Sequence, residues 1–463
     1  MFDVDLAQYD SSPCLITNTK TFSYNEIDHL CIEVEEHLPN SKQLILVKAK
    51  TNIETIIGYL SFLRTDHSFI MIDTTIREDL IENIVETYQP NFIWEECSDH
   101  QYIFQFKSYG LRQYNNTSLN LHPDLSLMLS TSGTTGAPKL VKLTKSNIYA
   151  NCKSIVEYLD IKSEHKTITN LPLYYSYGLS ILNTHLAQGA SIVVTDQSIV
   201  SKAFWDICKK HNITTLNGVP YNYEIFKRIG FMRMELPSLK SMTQAGGKLN
   251  SKLVEEFANW AKAKDIRFFV MYGQTEATAR ISYLPPDQTL KKISSIGVAI
   301  PEGTLLIKDL NNDIFIDKPF IDGELIYKGP NVMMGYATKL ADLSKGDELQ
   351  GTLHTGDIAQ KDDDGFYYIT GRIKRFIKIH GNRIGLDEVE HYLKSKGYDV
   401  LCTGIDDKLM LATRDQTISE QIKQEIILQY GFHHSTIKVA HVETYPISSA
   451  GKIQYTELIK VFK

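Results

Sequence analysis

Between residues 13 and 120 the sequence alternates between short apolar runs and longer amphipathic stretches. The runs Leu44-Ile-Leu-Val-Lys and Phe69-Ile-Met-Ile-Asp are typical of strands buried on both faces. Ser23 and Glu26 have the spacing of a capping box at the start of a helix. This alternation predicts a parallel sheet with crossover helices.

A loop rich in Ser, Thr and Gly separates two strand-like runs, Leu125–Leu129 and Leu140–Thr144. It has almost no apolar side chain to bury. Its glycines let backbone N–H groups approach an anion, and its hydroxyls and lysine add donors and charge, so we expect a polyphosphate site. The spacing differs from that of a Walker A loop, and an ordinary hairpin turn is the alternative. The predicted phosphate-binding residues are Thr131, Ser132, Gly133, Thr134, Thr135, Gly136 and Lys139.

The composition is that of an ordinary globular protein, with 463 residues, 43% hydrophobic and 22% charged. That length suits two or three domains. A net charge of −6 argues against a general nucleic-acid or anionic-membrane surface. The six cysteines form no Cys-x-x-Cys, which favours reduced thiols in a cytoplasmic protein. Neither a signal peptide nor a membrane span is predicted.

An aromatic segment and a pair of glycines are candidates for the walls of a pocket. Tyr175, Tyr177 and Gly178 belong to a Pro/Gly-punctuated segment that we assign to the substrate pocket, with core packing as the alternative. Gly246 and Gly247 follow a predicted strand. They would permit close backbone approach to a flat ligand.

Two carboxylates are candidates for binding a metal ion and a ribose. Arg267-Phe-Phe-Val-Met-Tyr predicts a strand that runs into Gly273-Gln-Thr-Glu, so Glu276 is placed where open α/β sheets bind ligands. Beside a polyphosphate, Glu276 is predicted to hold Mg²⁺, with a helix cap as the alternative. Asp357 can accept two hydrogen bonds from a ribose diol, with a turn aspartate as the alternative.

In this order, the motifs resemble those of the adenylate-forming superfamily: acyl- and aryl-CoA synthetases, adenylation domains of nonribosomal peptide synthetases, and luciferases. The resemblance covers nearly the whole chain. The matching segments are Thr131-Ser-Gly-Thr-Thr-Gly-Ala-Pro-Lys, Tyr272-Gly-Gln-Thr-Glu, His354-Thr-Gly-Asp, Gly371-Arg with Lys378 and Gly381, and Gly451-Lys452.

The resemblance implies an α/β fold with two domains. Residues 1–373 would form a large N-terminal adenylation domain of layered parallel sheets with helices plus a small β-barrel-like region. Residues 374–463 would form a small α+β C-terminal domain that rotates about Lys374 between two half-reactions. In the first, a carboxylate attacks the α-phosphate of Mg-ATP to give acyl-AMP and pyrophosphate. In the second, the acyl group passes to a thiol, either of CoA or of phosphopantetheine on an acyl carrier protein.

The resemblance also implies roles for single residues. A lysine on a mobile domain would stabilise the charge that develops at phosphorus in the transition state. By analogy, adenine stacks on Tyr272 beside Gly273, Thr275 contacts phosphate, Glu276 holds Mg²⁺, Asp357 and Arg372 hold the ribose, and Lys452 bridges the α-phosphate and the substrate carboxylate.

The predicted substrate is a small acyl or aryl acid. The segment around Tyr175 lacks the Phe-Asp pair of the amino-acid-activating branch, and Tyr175 replaces a histidine common in acyl-CoA synthetases. Leu140 replaces the glycine that usually follows the loop lysine. Lys248 and Arg280 are candidates for binding a second carboxylate, although solvated surface charge is the favoured interpretation. A free-standing amino-acid adenylation enzyme and a nucleotide-binding homologue without catalysis are the alternatives.

Overall fold

The computed structural model of the chain describes residues 6–75, 78–130, 139–373, 375–379, 382–448 and 451–462. The helices in this part are α1 (Tyr24–Glu35), α2 (Ile53–Arg64), α3 (Glu78–Tyr88), α4 (Lys145–Leu159), α5 (Ser176–Leu186), α6 (Lys202–Lys210), α7 (Pro220–Arg228), α8 (Ser251–Ala263), α9 (Leu386–Ser395), α10 (Ser419–Tyr430) and α11 (Tyr455–Leu458). The strands are β1 (Pro13–Ile16), β2 (Thr21–Ser23), β3 (Leu44–Ala49), β4 (Ser68–Asp73), β5 (Phe92–Glu96), β6 (Phe104–Phe106), β7 (Tyr109–Gln113), β8 (Leu125–Ser130), β9 (Leu140–Thr144), β10 (Lys166–Ile168), β11 (Ser191–Val193), β12 (Thr215–Gly218), β13 (Ser241–Gln244), β14 (Arg267–Tyr272), β15 (Ser282–Leu284), β16 (Val298–Ala299), β17 (Thr304–Lys308), β18 (Phe315–Ile316), β19 (Gly323–Lys328), β20 (Gly335–Ala337), β21 (Thr352–Lys361), β22 (Tyr367–Arg372), β23 (Phe376–Ile379), β24 (Asn382–Gly385), β25 (Val400–Ile405), β26 (Lys408–Thr413) and β27 (Ile437–His441).

One compact unit comprises Met1–Thr304 and Lys328–Leu353. Within its described residues, eight strands form a sheet in the order β20-β9-β8-β4-β3-β5-β7-β6, and nine form another in the order β16-β15-β14-β13-β12-β10-β11-β1-β2. The strands β8, β4, β3 and β5 pair in parallel, as do β10, β12, β13 and β14. These pairings confirm the parallel sheets that the strand–helix alternation predicts.

The hydrophobic core of this unit connects its two sheets. Ile45 and Phe69 from the eight-stranded sheet share one buried cluster with Leu15 and Ile192 from the nine-stranded sheet. Helix α2 belongs to the same cluster and is almost entirely buried, because its sequence is apolar all round. The sheets are therefore layered with helices, as predicted.

The starts of two helices follow their sequence signals. Ser23 and Glu26 form the predicted capping box of α1. Thr144 caps α4 by accepting a hydrogen bond from the Asn147 N–H, which places the start of α4 directly after β9. Both caps satisfy backbone N–H groups that the first helical turn leaves without partners.

The other compact unit comprises Leu305–Tyr327 and His354–Lys463. Its described part contains a five-stranded sheet in the order β18-β17-β19-β21-β22, and the predicted barrel-like region stays a prediction. The hairpin β23–β24, the sheet β25-β26-β27 and helices α9 and α10 form an α+β arrangement. The predicted domain boundary between residues 373 and 374 stays a prediction.

No helix in the described part of the chain has both the length and the apolar character needed to cross a membrane.

Candidate active site

The predicted phosphate loop connects two paired strands. Ser130 at the end of β8 lies opposite Leu140 at the start of β9, so the loop between them starts and ends at one place. Of the predicted loop residues, Lys139 is described and exposed. Its Nζ lies 3.3 Å from the centroid of the Tyr336 ring, which is a close cation–π contact. The other residues predicted there lie outside the described residues: Thr131, Ser132, Gly133, Thr134, Thr135 and Gly136.

Tyr336 connects this lysine to the predicted metal carboxylate. It lies on β20, which pairs with β9, and its hydroxyl donates a 2.9 Å hydrogen bond to Glu276 Oε1. Burial raises the pKa of the Tyr336 phenol, and the Glu276 charge raises it further, so the phenol stays a donor. The Glu276 carbonyl accepts a 2.9 Å hydrogen bond from the Met333 N–H. Hydrogen bonds therefore hold both the backbone and the side chain of Glu276 in place.

The surroundings of Glu276 suit a metal ion that takes most of its ligands from water and substrate and only one from the protein. Among the described residues, no group of three or more His, Cys, Asp or Glu side chains could hold a metal ion. Mg²⁺ is bound in proteins through one or two carboxylates, with water and substrate phosphates as its other ligands. A single partly buried carboxylate, linked through Tyr336 to Lys139 of the predicted phosphate loop, fits that ligand pattern.

A strained turn follows Glu276. Thr278 has φ 65° and ψ −51°, which is rare for a β-branched residue and costs about 1–3 kcal/mol. The Ala279 N–H donates a 2.7 Å hydrogen bond to the Ala277 carbonyl across it, so this is a γ-turn. Thr278 Oγ1 donates to the Asn331 carbonyl at 2.7 Å, and Asn331 Nδ2 donates to the carbonyls of Ala277 and Arg280. The asparagine thereby holds the turn from both sides.

The motif at the end of β14 packs closely against this turn. A Cβ on Gly273 would lie 1.9 Å from the Ala279 carbonyl oxygen, so only glycine fits there. Tyr272 ends the strand, and its hydroxyl accepts a 3.1 Å hydrogen bond from Gln274. Thr275 Oγ1 lies 3.3 Å from Ser176 Oγ at the start of α5. Ser176 was not predicted as a site residue, since nothing in its local sequence indicates this contact.

The aromatic segment lies beside the predicted glycine pair. Gly246 has φ +84°, and a Cβ there would lie 2.5 Å from the Tyr175 hydroxyl. Tyr177 is 1% exposed and hydrogen-bonds Thr243 at the end of β13. Core packing therefore describes Tyr177, whereas Tyr175 is partly exposed. Gly247 is exposed next to Gly246.

Gly178 is the third residue of α5 and lies against the preceding segment. A Cβ there would come within 2.2 Å of the Pro172 carbonyl oxygen, so the helix can approach this segment only with glycine at that position.

Arg280 is not a surface residue. Its exposed fraction is 2%, and its guanidinium carbon lies 4.0 Å from the centroid of the Tyr177 ring. Solvated charge, the favoured interpretation from the sequence, is wrong for Arg280, because the chain turns back after β14 and continues into the buried strand β15, which pairs with it. Lys248, by contrast, is exposed.

The other compact unit holds the predicted ribose-binding pair. Asp357 lies within β21 and Arg372 at the end of β22, where the two residues are register partners. Arg372 Nε lies 2.9 Å from Asp357 Oδ1, and the aspartate is 2% exposed. Asp357 is therefore not a turn aspartate. An arginine and a carboxylate side by side offer both donors and acceptors to a diol.

Ser448 holds the backbone of Lys452 in the same unit. The Lys452 N–H donates to Ser448 Oγ at 3.1 Å, and the Lys452 carbonyl accepts from the Ser448 N–H at 2.8 Å. A bridge pairs Ile447 with Ile453, so the backbone of Lys452 is held on both sides. Lys374, the predicted hinge, lies outside the described residues.

The residue after the predicted hinge is firmly anchored, which the sequence did not indicate. Arg375 Nη1 lies 2.9 Å from Asp387 Oδ1, and its guanidinium carbon lies 3.5 Å from the centroid of the Tyr455 ring. The Tyr455 hydroxyl donates to Glu390 at 3.1 Å. These contacts tie the start of this segment to α9 and to the region that follows Lys452.

Comparison with known proteins places these features in a family. Residues 2–337 match the family model of the AMP-binding enzymes. The chain belongs to this family. The match confirms the superfamily that the motifs resemble.

Relatives of this AMP-binding enzyme include several CoA ligases. A 2-succinylbenzoate–CoA ligase of Staphylococcus epidermidis is 25% identical over 95% of this chain and 93% of its own length. An oxalate–CoA ligase of Arabidopsis thaliana is 31% identical over 60% of this chain. The match covers 54% of that ligase, and another covers 62% of the 4-coumarate–CoA ligase-like 6 protein of the same plant. The chain thus matches less than two thirds of the length of these two relatives.

A solved structure has the same fold. The O-succinylbenzoate coenzyme A synthetase (MenE) from Bacillus subtilis, in complex with AMP, superposes with a TM-score of 0.78 at 21% identity. The match covers 98% of this chain and 97% of that one. The similarity confirms the predicted α/β fold class with its small additional domain.

Proposed function

We propose that this AMP-binding enzyme activates a small carboxylic acid as acyl-AMP, releases pyrophosphate, and transfers the acyl group to a thiol. The relatives support this reaction, because the three named above are CoA ligases or resemble one. The observation that carries the proposal is the contact of Tyr336 with both Lys139 and Glu276. Through this contact, the lysine of the predicted phosphate loop and a carboxylate suited to magnesium lie on either side of one tyrosine.

The residues of the first compact unit would bind the triphosphate end of ATP and its adenine. Lys139 would pair with phosphate oxygens as a point charge. Glu276 would hold Mg²⁺, which when bound would neutralise charge on the phosphate oxygens. Thr275 would donate its hydroxyl to phosphate, and Tyr272 would pack against adenine beside the close-packed Gly273.

The residues of the other compact unit would bind the ribose and stabilise the transition state. Asp357 and Arg372 would together accept from and donate to the ribose hydroxyls. Lys452 would supply positive charge where negative charge grows on the α-phosphate and the attacking carboxylate. The hydrogen bond from the Lys452 N–H to Ser448 suits this task, because a backbone that is already held needs little reorganisation during the reaction.

CoA is the proposed acceptor, since the relatives named above act with CoA. Phosphopantetheine on a carrier protein shares the reacting thiol and is retained as a second acceptor to test. The described cysteines are free, and five of the six are buried, which agrees with the proposed cytoplasmic setting.

The test is ATP–pyrophosphate exchange across a library of aliphatic, aromatic and amino acids, followed by acyl transfer with and without CoA. We expect exchange with a subset of non-amino carboxylic acids and CoA-dependent release of AMP. Exchange with an amino acid alone would instead indicate an amino-acid adenylation enzyme. Absence of exchange with every acid would overturn the proposed function.

A further inference from the structure

We propose that the acid activated by this enzyme carries a second anionic group, a carboxylate, and that Arg280 binds it. The inference rests on the proposed function, and it names a substrate class for the same site. Arg280 is a buried cation that has no countercharge among the described residues.

Arg280 is a charge whose partner is missing from the described protein. Its exposed fraction is 2%, and its Nε has no hydrogen-bond partner. Its Nη1 donates a long hydrogen bond of 3.4 Å to the Ala279 carbonyl, and the neutral Tyr158 hydroxyl also interacts with its guanidinium. No carboxylate among the described residues forms an ion pair with it. Buried ions are normally paired, because desolvation of a lone charge is costly.

The neighbours of Arg280 are aromatic and uncharged. Tyr177 lies under the guanidinium, and the arginine charge also acts on Tyr158 and Tyr175. Burial raises the pKa of Tyr175 and of Tyr177 to about 12, so both phenols stay neutral at physiological pH. Stacking on a neutral ring leaves the in-plane N–H donors of the guanidinium available to a carboxylate.

The position of Arg280 indicates that the anion it binds belongs to the acid substrate and not to ATP. The phosphate side of the site is marked by Lys139 and Glu276. Arg280 instead lies over the buried Tyr177 ring, and its charge acts on Tyr175, whose hydroxyl lies beside Gly246 in the predicted substrate pocket. A group bound there belongs to the molecule that occupies that pocket.

The backbone of Arg280 is already fixed for such a role. Its carbonyl accepts hydrogen bonds from Asn151 Nδ2 at 3.1 Å and from Asn331 Nδ2 at 2.9 Å. The preceding γ-turn is strained at Thr278 and is held by the same Asn331. Fixing the backbone in advance lowers the ordering cost of binding and so favours affinity.

The experiment compares each dicarboxylic acid with its own monomethyl ester in ATP–pyrophosphate exchange. Succinate, glutarate, adipate and the three benzenedicarboxylates cover several distances between the two groups. Each ester keeps one carboxylate for activation and loses the second charge. We expect at least one diacid to exceed its ester in kcat/KM by about 10- to 100-fold, the scale of a lost hydrogen bond to a charged group.

Variants separate recognition from structural support. Arg280→Met should abolish the preference for diacid over ester, and Arg280→Lys should retain part of it. Arg267→Met is the matched control, because Arg267 also lies over an aromatic ring, that of Phe269 on the same strand. In Arg267→Met, the ratio of kcat/KM for the diacid to kcat/KM for the ester should stay at the wild-type value. Melting curves show whether each variant is folded.

The outcomes distinguish this inference from the proposed function. Exchange that favours esters or simple monocarboxylic acids in the wild-type enzyme overturns the second-anion inference and leaves the proposed function standing. Equal loss of diacid and ester activity in Arg280→Met assigns the arginine a structural role and also overturns the inference. Absence of exchange with every acid overturns both.

Discussion

The Tyr336 hydroxyl donates a 2.9 Å hydrogen bond to Glu276 Oε1, although 60 residues separate the two in the sequence. The bond holds one carboxylate oxygen, and the other is the oxygen that we propose for the cation. A partner that orients a metal ligand in this way commonly affects metal affinity 10- to 100-fold. The role of Tyr336 can therefore be measured separately from that of Glu276.

Tyr336→Phe should raise the Mg²⁺ concentration needed for half-maximal pyrophosphate exchange by about tenfold, while the ring stays beneath Lys139. Glu276→Gln should raise it further, because it deletes the anionic ligand and keeps its shape. Tyr9→Phe is the control, since the Tyr9 hydroxyl donates to the Ala187 carbonyl. Identical magnesium titrations for all three variants and the wild type would place the metal elsewhere.

Lys452→Ala should slow acyl-adenylate formation by at least about a hundredfold, the scale of one electrostatic group lost from a transition state. ATP binding, measured by calorimetry, should change little. Lys460→Ala is a suitable control, because Lys460 is exposed and pairs only locally with Glu457. Near-normal pyrophosphate release by Lys452→Ala would show that another group carries out this step.

Lys374→Pro should separate the two half-reactions. Proline fixes φ near −65° and restricts the residue before it, so a hinge at this position could not change conformation. We expect acyl-AMP to form from ATP and acid while transfer to CoA falls by orders of magnitude. Lys374→Ala, which keeps backbone freedom, should transfer normally. Full transfer by the proline variant would rule out Lys374 as the pivot, and circular dichroism would detect misfolding.

The free energy of unfolding should fall as pH rises above about 10. Burial raises the pKa of Tyr177 to about 12, whereas an unfolded tyrosine titrates near 10. The folded state therefore binds this proton more tightly, and the stabilisation present below pH 10 is lost as pH rises to about 12. Two pKa units correspond to about 3 kcal/mol.

Urea denaturation between pH 8 and about pH 11.5 measures this loss. Tyr177→Phe should show a shallower decline than the wild type, because one buried phenol no longer ionises on unfolding. Tyr114→Phe, at an exposed position, should follow the wild-type slope. The same slope for both variants would mean that other groups cause the alkaline loss.

Local signals in the sequence account for what could be predicted. Capping at Ser23 and Thr144 depends on contacts within one helical turn, and the apolar run at Leu44 needs only a strand that is buried on both faces. Motif spacing likewise led to Glu276 and Asp357. Each of these features is written within a few consecutive residues.

The missed residues depend on contacts between distant segments. Tyr336 acts through pairing of β20 with β9, and no local pattern identifies that pairing. The burial of Arg280 depends on a turn whose conformation is unusual for Thr278 and is held by Asn331, which comes from another part of the chain. Average preferences for arginine favour the surface, so only the folded structure could correct the interpretation.

The γ-turn at Thr278 also limits how this enzyme can diverge. Glu276 and Arg280 stand on either side of it, so an insertion or deletion between them would move the proposed metal carboxylate together with the proposed specificity cation. Replacement of Arg280 by another side chain alters one without displacing the other. Descendants of this enzyme that adopt a new acid should therefore keep the length of this segment and differ at position 280.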